Sequence, residues 1–488
     1  MKLFGRLVRE ENMLTREAFQ AVYDQGPEAT FAVFVEQISA LQAQIQQLRD
    51  RLDQDSHNSH KPPSSDGLAK KPTPNSLRQK SGRKPGGQKG HRGCTLLPVA
   101  CPDKIVSHVP AHCACCGASL KNAQIVGEQA HQVFDLPPLH LFVTEHRAQT
   151  RLCCCGMMTQ ALFPQEAAEG VQYGPGLKAL CVYLRDYQLL PFARIVQMLS
   201  DLLDAPLSQG TLANTLSCCA RTLQPVTEAI KKGLQKARVA HFDETGMRVG
   251  GRLHWLHSAS TTTLTHYFCH AKRGQAATDA AGILPEFSRQ AVHDGWSSYA
   301  RYPCGHSLCN AHHLRELTRL EQTGQEWAKK MKRLLLQIKA CVERARERGK
   351  SQVPLLHEWR FLARYRKLLV AGYAANPPLV NAPRDGRGRV QQTPARNLLM
   401  RLDRHRGWVL AFLFDFAIPF DNNLAERDLR MMKVRQKISG GFRTKAGADD
   451  FCVVRGYIST LRKQKIHVLS ALEQAFRGSP VYPCIAAG

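Results

Sequence analysis

Three acidic residues, far apart in the sequence, lie where strands or helices are predicted to end or begin. Asp243 follows the apolar residues of one strand, Asp294 follows those of another, and Glu426 lies in the first turn of a helix. Unpaired buried charges are costly, so these carboxylates do not suit a hydrophobic core. They suit a divalent-cation site, since Mg²⁺ binds a few carboxylates and completes its shell with water and substrate phosphates. Each residue alone would more often be a cap or surface ion pair, so the interpretation depends on all three together.

The surrounding pattern predicts an α/β domain over residues 237–450. Predicted strands cover residues 238–242, 253–258, 264–270 and 291–293, with a helix over 275–284. A meander of strands, a helix and a further strand resembles the start of a ribonuclease H-like sheet, in which Asp243 and Asp294 would end adjacent strands. A helical, basic insertion over about 311–415 separates them from Glu426. Glu244 and Asp421 neighbour the candidate carboxylates and are weaker candidates, expected to point elsewhere.

The charge of the chain indicates its partner. Lys and Arg number 67 against 40 Asp and Glu, a formal net charge of +27 over 488 residues. This excess favours a polyanion, either nucleic acid or an acidic membrane surface. No apolar run approaches the roughly 18 residues of a membrane-spanning helix, and the N-terminus has no apolar signal-peptide core. We therefore expect a cytoplasmic protein that binds nucleic acid and no membrane.

Two segments precede the first cysteine cluster. Residues 1–55 contain a heptad-like repeat of apolar residues from Phe31 to Leu52, which favours a parallel two-stranded coiled coil over a helix packed on its own chain. Residues 56–100 form a basic arm rich in Pro, Gly and Ser, as in flexible linkers. Its candidate phosphate-binding residues are Arg83, Lys84, Lys89 and Arg92.

A cysteine cluster over residues 101–165 predicts a small zinc-binding module. The chain has 17 cysteines, and in a cytoplasmic protein these are more often free thiols or metal ligands than a disulfide framework. The candidate ligands are Cys113 and Cys116, in a C-x-x-C pair before glycine, and Cys153 and Cys155 about 40 residues later. Two such knuckles, separated by a strand-rich loop, suit tetrahedral structural zinc. Buried free cysteines are the alternative, and the short second spacing leaves the fourth ligand open.

Residues 172–225 predict a helix-turn-helix, whose second helix would enter the major groove. A break at residues 204–206 precedes Ser208, which is suited to cap a second helix. An ordinary helical hairpin would give the same pattern, and the positive charge favours the DNA-binding interpretation. The candidate DNA contacts here are Ser208, Gln209, Thr211 and Asn214. Further candidates are Arg427 and Arg430 beside Glu426, and Arg443 in a predicted glycine-rich loop over 436–447. Residues 451–488 are predicted to form closing helices.

Cys309 and His312 also have ligand-like spacing. No second ligand pair lies near them in the sequence, so lining the active site or packing a helix is favoured over a second zinc site.

The carboxylates define a chemistry. Two divalent cations about 4 Å apart activate a water or a 3′-hydroxyl and stabilise the leaving oxygen at one phosphate. Water attack would cut DNA, and attack by the freed 3′-hydroxyl would join it to a new strand. The expected catalytic ions are two Mg²⁺, with Mn²⁺ as a substitute.

These stretches resemble the large transposase of the bacterial insertion-sequence-66 class from about Ser59 to the C-terminus. The matching stretches are PPSSDG (62–67), KPGGQKGH (84–91), the 113/116 cysteine pair, FDETG (242–246), HDGW (293–296), CNAHHLRE (309–316), NNLAER (422–427) and SGGFR (439–443). The resemblance implies a multidomain α+β chain: a coiled coil, a zinc module, a helix-turn-helix and a ribonuclease H-like DDE domain with a helical insertion. It implies that Asp243, Asp294 and Glu426 are the catalytic triad.

The resemblance also implies partners. These are the terminal inverted repeats of the element, target DNA, further copies of the chain assembled on DNA, and two small accessory transposition proteins, in the bacterial nucleoid. Two other functions stay open from the sequence. One is a DNA-binding regulator with a vestigial catalytic domain, and the other is a nuclease that cuts without joining.

Overall fold

The structure is a computed structural model. It describes residues 16–52, 86, 90, 96–137, 139–164, 167, 170–379 and 392–485. The chain divides into two compact units, Pro74–Leu216 and the combination of Met1–Thr73 with Ser217–Gly488. The four basic arm residues Arg83, Lys84, Lys89 and Arg92 lie outside the described residues. Over the described ranges, no helix is long and apolar enough to cross a membrane.

The N-terminal heptad segment is helical. Helix α1 covers Arg16–Tyr23 and helix α2 covers Pro27–Leu52. Phe31, Ile38 and Leu41 of the predicted seam are each about half or more exposed, at 68%, 49% and 56%. A regular apolar stripe is therefore open to solvent on this helix.

The cysteine region of the first unit contains two small hairpins. An isolated bridge pairs His112 with Ser119 around the first cysteine pair. Strands β1 (Thr150–Leu152) and β2 (Met158–Gln160) pair antiparallel around the second. The prediction of a strand-rich loop between the two cysteine pairs is wrong, since the described residues from 120 to 149 include no strand. The strands flank the second pair instead.

Helices make up the rest of the first unit, and the last of them continues past Leu216 into the second unit. Helix α3 (Pro175–Val182) continues into a π-helical turn, helix α4 covers Phe192–Leu203, and helix α5 covers Gln209–Lys236. Asp204 ends α4 in the left-handed conformation (φ 50°). The Ser208 hydroxyl accepts a hydrogen bond from the Thr211 amide at 3.0 Å, which is the predicted N-cap. Helix α5 extends past residue 225 because buried apolar residues continue at helical spacing to Leu234.

The second unit is organised around a five-stranded sheet in the order β5-β4-β3-β6-β7. Its strands are β3 (Val239–Val249), β4 (Arg252–Ser260), β5 (Thr265–His270), β6 (Gln290–His293) and β7 (Gly305–Leu308), with helix α6 (Gln275–Ala281) between β5 and β6. Strands β3, β4 and β5 are antiparallel, whereas β6 runs parallel to β3 and β7 parallel to β6. Asp243 lies within β3 rather than at its end, because the β3–β4 pairing continues to Val249.

The predicted insertion is helical. It contains α7 (Asn310–Gln322), α8 (Glu326–Glu347), α9 (Leu355–Ala375), α10 (Pro394–Arg404), α11 (Arg406–Val409) and α12 (Ala411–Phe414). These helices share one apolar core, in which Trp327, Leu334 and Leu399 are among the buried residues. Residues 380–391 of the connecting loop lie outside the described ranges.

Three helices close the chain: α13 (Asn423–Ser439), α14 (Lys445–Lys463) and α15 (Val468–Phe476). Helix α13 packs on β3 and β4, and α14 packs on β5. The prediction of a loop over 436–447 is wrong at both ends. Helix α13 occupies residues 436–439 and helix α14 occupies residues 445–447, so the loop covers only residues 440–444. Glycine is required at Gly441, since an added Cβ would lie 2.9 Å from the Arg248 carbonyl oxygen.

Candidate active site

The sheet aligns Asp243 with Asp294. The parallel pairing of β3 with β6 matches His241 with Val292, and each aspartate follows its paired residue by two positions. Alternate residues of a strand project to the same face of the sheet. The two carboxylates therefore lie side by side, Asp243 within β3 and Asp294 immediately after β6.

Asn422 attaches the start of α13 to β3. Its side-chain amide donates to the Phe242 carbonyl at 2.9 Å, and its Oδ1 lies 2.8 Å from Nδ1 of His241. The residue is 1% exposed, so these bonds form in the interior. Helix α13 begins directly afterwards, which places Glu426 one turn into the helix and beside the strand that carries Asp243.

The three candidate carboxylates interact electrostatically. Burial raises the pKa of Asp243 well above the ordinary aspartate value, and Glu244, Asp294 and Glu426 raise it further. Burial also raises the pKa of Glu426, which Arg315 partly offsets. Clustered carboxylates in such surroundings are unfavourable as anions unless a cation lies among them.

These residues fit a divalent cation. All three offer carboxylate oxygens, the ligand type that Mg²⁺ prefers. Within the described part of the chain, Oε1 of Glu426 is buried and has no hydrogen-bond partner. A buried acceptor without a donor is costly, and a metal ion would satisfy it.

Glu244 belongs to a polar cluster that adjoins the candidate carboxylates. Nε of Arg273 donates to its Oε1 at 2.7 Å, and the Tyr299 hydroxyl donates to its Oε2 at 2.5 Å. Burial raises the pKa of Glu244, and the Asp294 carboxylate raises it further. The Arg273 guanidinium lies 3.9 Å from Asp294 and 3.9 Å from the ring centre of Trp296. Glu244 therefore holds an arginine next to the candidate site.

Asp421 caps a helix. Its Oδ1 accepts a hydrogen bond from the Asn423 amide at 3.2 Å, at the first residue of α13. This bond satisfies one of the donors that every helix start leaves without an intrahelical partner.

A second group of ligand-type side chains includes Glu426. Among the described residues, candidate ligand atoms of Cys309, His312 and Glu426 all lie within 4.8 Å of one another. Burial raises the pKa of Cys309 to about 12. The spacing of Cys309 and His312 was visible in the sequence, but no local signal pointed to the third member, which lies 114 residues beyond His312.

Each predicted pair of zinc ligands lies in a tight turn that ends at a glycine. Gly117 donates to the Cys113 carbonyl and Gly156 to the Cys153 carbonyl, each at 2.9 Å. Hydrogen bonding from the Cys116 amide lowers the pKa of Cys113, and hydrogen bonding from the Cys155 amide lowers that of Cys153. Both glycines have positive φ, 73° and 84°, which allows the chain to turn after each pair.

The candidate DNA contacts outside the arm are largely accessible. Ser208, Gln209 and Asn214 are exposed in and before α5, and Thr211 is half-buried. In the second unit, Arg427, Arg430 and Arg443 are all exposed. The backbone of Phe442, next to Arg443, bonds to Arg248 and Gly250 at 2.8 Å each, which fixes this loop against the end of β3.

Comparison with protein families gives three matches. Residues 170–450, more than half of the chain, match the model of the transposase IS66 family. Residues 110–156 match the zinc-finger binding domain of transposase IS66, which supports a structural zinc ion. Residues 8–96 match a family of unknown function (DUF6444). No curated protein matches the chain.

Proposed function

This chain belongs to the IS66 family of transposases, and from that premise we propose that it cuts and joins DNA at the terminal inverted repeats of an insertion sequence. Asp243, Asp294 and Glu426 are the proposed catalytic carboxylates. The observation that carries the proposal is their convergence from two adjacent strands and one docked helix. Buried carboxylates without a cation among them are costly, which favours a working metal site over a vestigial domain.

The sheet supports a ribonuclease H-like catalytic domain. Its antiparallel strands β3, β4 and β5 are followed by β6 and β7, which extend the sheet in parallel from the other side of β3. This arrangement puts the first and fourth strands of the domain side by side. The strand order is thus what allows Asp243 and Asp294 to serve one site.

We propose that Asp243, Asp294 and Glu426 hold two Mg²⁺ ions, which Mn²⁺ could replace. Bound there, the ions would activate the attacking oxygen and stabilise the leaving one. In cleavage, a water oxygen bonds to phosphorus, the 3′-oxygen leaves with a proton, and a free 3′-hydroxyl results. In joining, that hydroxyl oxygen bonds to a target phosphorus and displaces a target 3′-oxygen. The two displacements are the same phosphoryl transfer with different nucleophiles.

The proposed DNA contacts come from both units. In the first, α4 and α5 act as a helix-turn-helix, supported by the exposure of Ser208, Gln209 and Asn214. In the second, Arg427, Arg430 and Arg443 supply positive charge for phosphates. We further propose that the chain acts as an oligomer through an α2 coiled coil, with two small accessory proteins, at the bacterial nucleoid.

The test is a mobility assay in cells with a marked element and its accessory proteins. Joined products are sequenced for wild type, Asp243→Asn, Glu426→Gln and Glu343→Gln. Glu343 is a matched control, an exposed glutamate on α8 whose side chain is 54% exposed. We expect the first two variants to lose joining by at least about 100-fold, since even residues around metal ligands cost 10- to 100-fold, and the control to retain it.

Other outcomes distinguish the remaining functions. Equal joining by all four chains would contradict the assignment of the carboxylates. Cut but unjoined DNA from wild type would favour a nuclease. Binding of the element ends without any cleavage would favour a regulator.

A further inference from the structure

The fold brings Cys309 and His312, two side chains of the types that bind zinc, close to the carboxylate of Glu426. Cys309 is the residue before α7, and His312 lies one turn along the same face of that helix. Candidate ligand atoms of Cys309, His312 and Glu426 all lie within 4.8 Å of one another. In tetrahedral zinc sites, ligand atoms about 2.0–2.3 Å from the ion lie roughly 3.3–3.8 Å apart. Small side-chain rotations would therefore close this group around an ion.

The backbone fixes the Cys309 sulfur in place. The Cys309 amide donates to the His293 carbonyl at 2.9 Å. The backbone amide of Asn422 donates to Sγ of Cys309 at 3.1 Å, although the two residues are 113 positions apart. Hydrogen bonds around metal ligands orient them and tune the metal site. The same Asn422 also attaches α13 to β3, so one residue positions both the sulfur and the helix of Glu426.

The ligand types select the metal. Sulfur is a poor ligand for Mg²⁺ and a good one for Zn²⁺, whereas imidazole and carboxylate also bind zinc. Three protein ligands leave a fourth position for water or substrate, as in zinc sites that are open. The buried Oε1 of Glu426 has no hydrogen-bond partner in the described part of the chain, so it is available to an ion.

We propose that Cys309, His312 and Glu426 form a Zn²⁺ site, distinct from the zinc-finger module at residues 110–156. Glu426 belongs both to this group and to the proposed catalytic carboxylates. Zinc bound here takes a ligand from the Mg²⁺ site, so zinc acts as an inhibitor of strand transfer. The zinc site itself stands on the three side chains, and only the inhibition rests on the proposed function.

Metal counting on the full-length protein tests the site. Wild type, Cys309→Ser and Cys341→Ser are equilibrated in zinc buffers, and bound zinc per chain is measured by mass spectrometry. Cys341 is a matched control, a half-buried cysteine of α8 outside the ligand group. We expect Cys309→Ser to bind one zinc fewer per chain than the other two. In the Co²⁺-loaded protein, it should also lose the thiolate charge-transfer absorbance of one cysteine.

Equal zinc counts and equal cobalt spectra for wild type and Cys309→Ser would overturn the site. Should Cys309→Ser fail to fold, Glu426→Gln provides the second measurement, because it keeps the sulfur and removes the charged ligand. Its zinc affinity at this site should fall at least about 10-fold, and an unchanged affinity would refute the proposal.

A strand-transfer assay at fixed Mg²⁺ tests the consequence. Added zinc should inhibit wild type and Cys341→Ser more strongly than Cys309→Ser. Zinc binding without any strand transfer would leave the site standing and remove the proposed function. Strand transfer that zinc inhibits equally in all three chains would overturn the inhibitory role of the site.

Discussion

Oδ1 of Asn422 lies 2.8 Å from Nδ1 of His241, and this contact joins the strand of Asp243 to the helix of Glu426. The side-chain amide of Asn422 also donates to the Phe242 carbonyl at 2.9 Å. Both bonds are buried, so water cannot replace them. The relative position of two candidate catalytic residues therefore depends on a residue that is not itself acidic.

Replacing Asn422 should affect both stability and activity. Asn422→Ala leaves the Phe242 carbonyl without this donor in the interior, and we expect the free energy of unfolding to fall by about 1–3 kcal/mol. Strand transfer should fall as well, because the start of α13 loses its two side-chain contacts with β3. Denaturant melts and joining assays measure the two effects. The control is Asn423→Ala, which removes an exposed neighbour; an equal effect of both variants would contradict this role.

His266 should make the fold sensitive to acid. Burial, together with a smaller effect of the Lys231 charge, lowers the pKa of His266 from 6.5 to about 4. Between these pH values the unfolded chain binds more protons than the folded one. The contribution of His266 to the free energy of unfolding is therefore complete above pH 6.5 and is lost as the pH falls towards 4. The loss should be about 3 kcal/mol. Melts of His266→Gln should show a smaller loss, whereas the exposed control His357→Gln should match wild type. A wild-type slope in His266→Gln would contradict the assignment.

The exposed stripe on α2 should mediate self-association. Ile38→Glu combined with Leu41→Glu puts charge into the predicted seam. Burying each such side chain contributes about 1.5–3 kcal/mol, so the dimer dissociation constant should rise at least about 100-fold. Sedimentation equilibrium measures it. Ala32→Glu adds a single glutamate beside the seam and is the control. An equal rise in the dissociation constant for this control would argue against a coiled coil.

The second cysteine turn predicts which residues hold the zinc-finger metal. Cys155 directly precedes Gly156, as Cys116 directly precedes Gly117. We therefore expect Cys153→Ser and Cys155→Ser each to weaken zinc binding by the module, and Cys154→Ser to leave it unchanged. Competition with a chromogenic chelator gives the affinities. Loss of zinc in Cys154→Ser, with retention in Cys155→Ser, would reassign the fourth ligand.

Local patterns were sufficient for much of the catalytic domain. Apolar runs predicted four of the sheet strands, and the Ser208 cap was predicted from its side chain and the break before it. The first strand of the sheet was predicted to end at Phe242, but β3 continues to Val249. In the structure Gly246 pairs with Trp255, and the turn occurs at Gly250 and Gly251, which both have positive φ. Cross-strand pairing carried the strand through a residue that weakens it locally.

The sequence by itself determined the family, the charge that favours DNA, and the candidates Asp243, Asp294 and Glu426. These conclusions depend on residue types and short spacings, which can be identified without knowledge of the tertiary structure. Only the tertiary structure decided that Glu426 also meets Cys309 and His312. That meeting requires α13 to dock on β3 through Asn422, after a helical insertion of about a hundred residues. No local pattern encodes it, because contacts between distant segments are set by the packing of whole elements.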